Sequence, residues 1–161
     1  AEVAELLDTS VASVNSALQR ARATLATADV TQLDDLDDPE RQALLARYVD
    51  AFERYDMAAL AALLREDVVM SMPPWDLWLQ GPASVVGWMV GPGAACEGSR
   101  LLPIAVNGTA GYGSYKRVAP DRWEPWAIQV VEVAGGRIVG HHNFVYPELF
   151  AQLGLPPYLE A

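Results

Sequence analysis

Residues 51–70 read Ala51-Phe52-Glu53-Arg54-Tyr55-Asp56-Met57-Ala58-Ala59-Leu60-Ala61-Ala62-Leu63-Leu64-Arg65-Glu66-Asp67-Val68-Val69-Met70, and the fold turns on how that run divides. Upstream of Asp56, Leu44, Leu45, Tyr48, Val49 and Phe52 recur at helical spacing. Downstream, Met57, Leu60, Ala61, Leu63 and Leu64 form a second helical face. Asp56 lies between the two, where a carboxylate caps the free amides of a helix start. Val68-Val69-Met70-Ser71-Met72 then reads as a strand, stopped by Pro73-Pro74. The order is helix, helix, strand.

Toward the C-terminus, Pro82 to Val90 predicts a short helix ended by Gly91-Pro92-Gly93. Three strands follow, over 99–107, 109–118 and 123–133. Gly135-Gly136 turns the chain into a last long strand over 137–146. A helical stub at 147–153 ends at Gly154. Toward the N-terminus, Asp38-Pro39-Glu40 is a helix start, with Asp38 as cap and Pro39 at the first helical position. Residues 27–39 are acidic through Asp29, Asp34, Asp35, Asp37 and Asp38, and read as a solvated linker.

With the motifs AFERYDMAALAALLREDVVM (51–70) and GGRIVGHHNF (135–144), this order resembles the SnoaL-like branch of the nuclear transport factor two superfamily. The resemblance covers about residues 40–155. It implies an α+β fold, a conical curved antiparallel sheet packed on helices with a pocket inside, for a domain running over 40–161.

Residues 2–25, EVAELLDTSVASVNSALQRARATL, read as two short helices joined by a polar turn. Val3, Leu6 and Leu7 stripe the first. Val14, Ala17, Leu18, Ala21 and Leu25 stripe the second. Asp8-Thr9-Ser10 supplies turn and cap chemistry. Ser13, Asn15, Ser16, Gln19, Arg20 and Arg22 can all hydrogen-bond a base edge or a phosphate, the layout of a helix-turn-helix with its recognition helix second. The wording resembles the last segment of extracytoplasmic-function sigma factors, the bacterial RNA polymerase subunits that choose promoters, where it reads the −35 element. Asn15 and Ala17 stand where that family often carries basic residues, which weakens phosphate attraction. Residues 1–26 are thus expected to be a truncated helix-turn-helix, and the chain the C-terminal piece of a longer protein. Some actinobacterial-type sigma factors carry a SnoaL-like domain behind this segment, and GPASVVGWMVGPGA (81–94) and EPWAIQVVEV (124–133) resemble that subgroup. The implied partners are the polymerase core and promoter DNA.

The 161 residues are 52% hydrophobic and 20% charged, as for a globular chain. No run approaches the ~20 apolar residues of a membrane span, and a cytoplasmic setting is expected. The lone Cys96 excludes an internal disulfide and a multi-cysteine zinc site. A net charge of −10 argues against nucleic-acid binding by the chain as a whole.

Enzymes of the SnoaL-like group use a pocket Asp, or an Asp/His pair, as general acid and base. By position Asn143 stands near that acid, and an amide cannot accept and return a proton. The domain is therefore expected to regulate sigma activity without catalysis, and no metal or cofactor site is expected. An inner pocket is expected near Met70, Met72, Asp76, Trp88, Trp126, His141 and Asn143, taking a small apolar ligand. Trp75, Trp78, Tyr112, Tyr115 and Trp123 are further candidates for its wall. Two other readings stay open: a cyclase or isomerase with His141 and Asp76 as its acid/base pair, and a ligand-binding or homodimerisation module.

Overall fold

The computed structural model describes residues 1–27, 32–35 and 37–161, and divides into two compact units, 1–32 and 33–161. The part of the acidic stretch containing Asp29 lies outside the described residues.

The first unit is a pair of helices, α1 (Glu2–Leu6) and α2 (Val11–Thr27). Ser10 Oγ accepts the amide of Ser13 at 3.1 Å, the capping role expected of the turn. Ala4 is buried, whereas Val3, Leu7 and Leu18 stay exposed and line a groove of 490 Å³ between the helices.

The second unit runs α3 (Pro39–Glu53), α4 (Met57–Leu63), β1 (Leu64–Ser71), β2 (Trp78–Gln80), α5 (Pro82–Val90), a 3-10 turn (Pro92–Cys96), β3 (Arg100–Val106), β4 (Thr109–Ala119), β5 (Arg122–Ala134), β6 (Arg137–Phe144), α6 (Leu149–Gln152) and β7 (Leu159–Glu160). The caps are those the sequence implies. Asp38 Oδ1 accepts the amide of Glu40 at 2.8 Å, and Asp56 Oδ1 that of Ala59 at 2.9 Å.

The sheet order is β2-β1-β6-β5-β4-β3, with β7 added on β5. It is curved and not closed. Pairing is antiparallel, as expected, except between β1 and β6, which run parallel. Helix α4 passes straight into β1 at Leu64, which pairs with Ile138, and the register slips before Val69 meets Gly140. Such bulges increase local twist and help a sheet curve.

One face of the sheet packs on α3, α4 and α5. Leu44, Tyr48, Phe52, Leu60, Met70, Val85, Met89 and Val131 form a continuous core there. The opposite face carries a smaller core of Tyr115, Trp123, Ile128, Phe150 and Leu155. Gly113 permits this second layer, since a Cβ there would stand 2.7 Å from Leu155 Cδ1 and 3.2 Å from Phe150 Cε1.

Candidate functional site

Tyr48 on α3 reaches across the helix-packed face to the middle of the sheet. Its hydroxyl donates to Gln129 Oε1 at 2.7 Å and lies 2.9 Å from His141 Nε2. With the hydroxyl proton given to Gln129, the Nε2–H of a neutral His141 donates to the Tyr48 oxygen. The register accounts for the grouping: Gln129 pairs with Asn143, Val131 with His141, and Met70 with His141. Phe52 and Tyr48 both meet the His141 ring edge-on, with centroids 6.5 and 5.7 Å away.

His141 is 2% exposed and Asn143 4%. Burial pushes the His141 pKa down to about 4, with His142 nearby adding to the shift. Burial also holds the Tyr48 hydroxyl well above its ordinary value. Both groups are therefore uncharged at neutral pH. Among the described residues, Asn143 Nδ2 is buried without a hydrogen-bond partner. The cluster can hydrogen-bond a neutral group, but it offers no base with a pKa near neutrality.

The expected pocket residues divide. Met70, Met72, His141 and Asn143 are all buried, the first three of them against the α3 side of the sheet. Trp88 is half-buried against that core, its ring against Gly93. Trp126 stands at a bulge in β5, its ring 5.9 Å from Trp75 and 4.2 Å from Lys116 Nζ. Asp76 is exposed, and among the described residues no hydrogen bond joins it to His141. Its carboxylate stays hydrated, which removes the burial that would make it a partner for His141. Of the further wall candidates, Tyr112 lies in the helix-packed core, Tyr115 and Trp123 belong to the opposite face, and Trp75 and Trp78 are exposed. The segment after Gly91 is a packed 3-10 turn: the Tyr55 hydroxyl donates to the carbonyls of Met89 and Gly93 at 2.7 and 3.0 Å.

The sequence reading missed Tyr48 and Gln129. Tyr48 looked like one more apolar position on α3. Gln129 carried a usable signal, a lone amide between Ile128 and Val130-Val131 in a strand. Arg41 was missed too. It is 1% exposed, its Nη2 donates to Thr109 Oγ1 at 3.3 Å, and its Nε and Nη1 have no partner among the described residues. Among the described residues, no group of three or more His, Cys, Asp or Glu could hold a metal ion. No described helix is long and apolar enough to cross a membrane.

In the first unit Ser13, Asn15, Ser16, Gln19, Arg20 and Arg22 are all exposed. Ser13 and Arg20 line the apolar groove, and Ser13 Oγ is 2.9 Å from Ser10 Oγ. At 100° per residue, Asn15, Ser16, Gln19 and Arg22 share the face turned away from that groove.

The model of the SnoaL-like domain family matches residues 45–141. The sigma factor SigG of Mycobacterium tuberculosis, an extracytoplasmic-function RNA polymerase sigma factor, is 37% identical over 164 residues, covering 99% of this chain and 44% of that protein. The chain thus spans less than half the length of the curated relatives it matches. Among solved structures, the M. tuberculosis extracytoplasmic-function sigma factor SigJ superposes with a TM-score of 0.56 at 22% identity, over 96% of this chain and 55% of that one. An NTF-2 like protein of unknown function from Burkholderia xenovorans LB400 gives 0.54 at 13% identity, over 70% and 91%. At these identities the two structures speak for the fold alone. Residues 45–141, the greater part of the chain, carry the match to the family model, and the chain belongs to the SnoaL-like domain family.

Proposed function

We propose that this chain is the C-terminal part of an extracytoplasmic-function sigma factor, in which α1 and α2 read the −35 promoter element and the SnoaL-like domain adjusts sigma activity without catalysis. One observation carries the reading. The 37% identity to SigG extends over 99% of the chain, so it takes in the helical pair as well as the SnoaL-like domain, in the same order. The partners are then the polymerase core and promoter DNA, in a cytoplasmic setting. Ser16 and Gln19 are the side chains read against base edges, with Asn15 beside them, and Arg20 and Arg22 those read against phosphate. Ser13, whose hydroxyl meets Ser10, is the weakest of the base-reading set.

The non-catalytic part of the reading rests on the inner cluster. A histidine with a pKa of about 4 is a poor base at neutral pH, Asn143 stands where an enzyme of this group would want a carboxylate, and Asp76 is exposed.

The test is run-off transcription by bacterial core polymerase with a longer protein that carries this chain at its C-terminal end. Arg20→Ala should weaken promoter binding broadly and flatten its salt dependence, whereas Gln19→Ala should alter sequence preference at −35. The 161-residue chain alone, at net charge −10, should bind DNA poorly. Promoter choice indifferent to both substitutions would refute the assignment of α2, as would tight, sequence-specific DNA binding that both variants retain.

A further inference from the structure

The sheet face opposite α3 holds a groove of 540 Å³, within the ~300–1,000 Å³ range of small-molecule sites. Its walls include Leu33, Val130, Phe144 and Leu153. Among the described residues lining it, Glu132 alone carries a formal charge, with His142 beside it. Three neighbours build that polar end. Ser71 Oγ lies 2.8 Å from His142 Nδ1 and fixes the ring. His142 Nε2 then stands 3.7 Å from Glu132 Oε2, beyond hydrogen-bond length. Gly140 leaves the room for both, since a Cβ there would stand 2.6 Å from Glu132 Oε2 and 2.8 Å from His142 Nε2.

The Glu132 carboxylate therefore sits beside apolar walls, its side chain 38% exposed toward the groove and His142 Nε2 its nearest cationic-capable neighbour at 3.7 Å. A carboxylate in such surroundings favours a cationic donor. The wall at Leu33 is held from the side. The Asp34 amide donates to the Val133 carbonyl at 2.8 Å, and its two carboxylate oxygens accept the amides of Gly135 and Gly136 at 2.8 and 2.9 Å.

We propose that this groove binds a small molecule with an apolar body and a cationic amine head. The ammonium pairs with Glu132, and the body lies against Val130, Phe144 and Leu153. Charge selects this occupant over a second copy of the chain. With 21 acidic and 11 basic residues, a second copy brings mostly carboxylates toward Glu132. The same carboxylate repels nucleic acid. The groove lies wholly within the SnoaL-like unit and keeps its chemistry whether or not the sigma-factor reading holds.

The probe is decylammonium, titrated calorimetrically into the 161-residue chain, with decanoate as the same body under the opposite head. Decylammonium should bind saturably at one site, and decanoate at least about tenfold more weakly. Glu132→Gln, which keeps size and shape, should weaken decylammonium by about tenfold or more. Glu124→Gln, which removes an equal charge from a carboxylate paired with Arg122, should leave affinity unchanged and so controls for net charge. Absence of saturable binding at millimolar concentration, equal binding of the two amphiphiles, or an unchanged Glu132→Gln would overturn the proposal. A dimer in sedimentation that Val130→Trp dissociates would also overturn it, by giving the groove to a second copy.

Discussion

Lowering the pH from 7 to 5 should destabilise the SnoaL-like domain through His141, and the size of the loss follows from its burial. In the unfolded chain the imidazole titrates near its ordinary 6.5, and in the folded domain near 4. Between those values the unfolded state binds a proton that the folded state refuses, so stability falls as pH falls. Well above pH 6.5 the ring is neutral in both states and costs nothing. Below about pH 4 both states are protonated and the loss levels off. Integrated from pH 7 to 5, the difference amounts to about 2 kcal/mol. With a urea dependence of ~1–3 kcal/mol per molar, that moves the midpoint by roughly 1 M. All five tryptophans lie between Trp75 and Trp126, so intrinsic fluorescence reports this domain and not the helical pair. His141→Gln keeps an amide donor for the Tyr48 oxygen and removes the titration. Its stability should be nearly flat over the same interval. The chain has only one other histidine, His142, which both proteins retain. Equal pH slopes for the two proteins would refute the burial argument.

Further outcomes follow from single contacts. Tyr48→Phe leaves Gln129 and His141 buried without their shared partner and should cost about 2–4 kcal/mol in urea unfolding, since each orphaned group costs ~1–3. Gly113→Ala places a methyl against Leu155 and Phe150 and should cost about 1–3 kcal/mol by overpacking, read as a lowered thermal midpoint. Asp34→Ala removes both acceptors of the Gly135-Gly136 turn and should speed amide exchange at those two residues while leaving exchange at Val131 unchanged. Deleting residues 1–30 should leave a cooperative thermal transition, because the unit from Leu33 to Ala161 contains both cores; its absence would refute modularity.

What was legible in the sequence is what local chemistry decides. Asp38-Pro39 and Asp56 announce their helices, Pro82 to Val90 is bounded by glycines on both sides, and Gly135-Gly136 can hardly be other than a turn. What was not legible depends on partners distant in the chain. The strands Trp78–Gln80 and Leu159–Glu160 are too short to carry a pattern, and exist because β1 and β5 offer free edges. Leu64 continues a helical face by spacing, yet its pairing with Ile138 makes it the first residue of a strand. The candidate aromatic wall divides between two cores and the surface for a similar reason. The register shift between Ser114 and Tyr115 alters which side chains share a face, and Tyr115 and Trp123 end in the second core. Tyr48 and Gln129 matter only because α3 crosses β5 at that point. No spacing along either element announces it.

The parallel pairing of β1 with β6 bears on how this chain can be made. β6 is the last long strand in sequence but lies inside the sheet, between β1 and β5. During synthesis from the N-terminus, β1 and β5 each wait with an open edge until residues 137–144 have left the ribosome. A chain interrupted before Arg137 would present two unpaired apolar edges, the arrangement most prone to association with other strands. The partners are also far apart along the chain, Met70 with His141 for instance, which makes closure slow. The domain should therefore appear late and nearly all at once as the nascent chain lengthens, and truncation after Ala134 should yield an aggregate, not a smaller folded sheet.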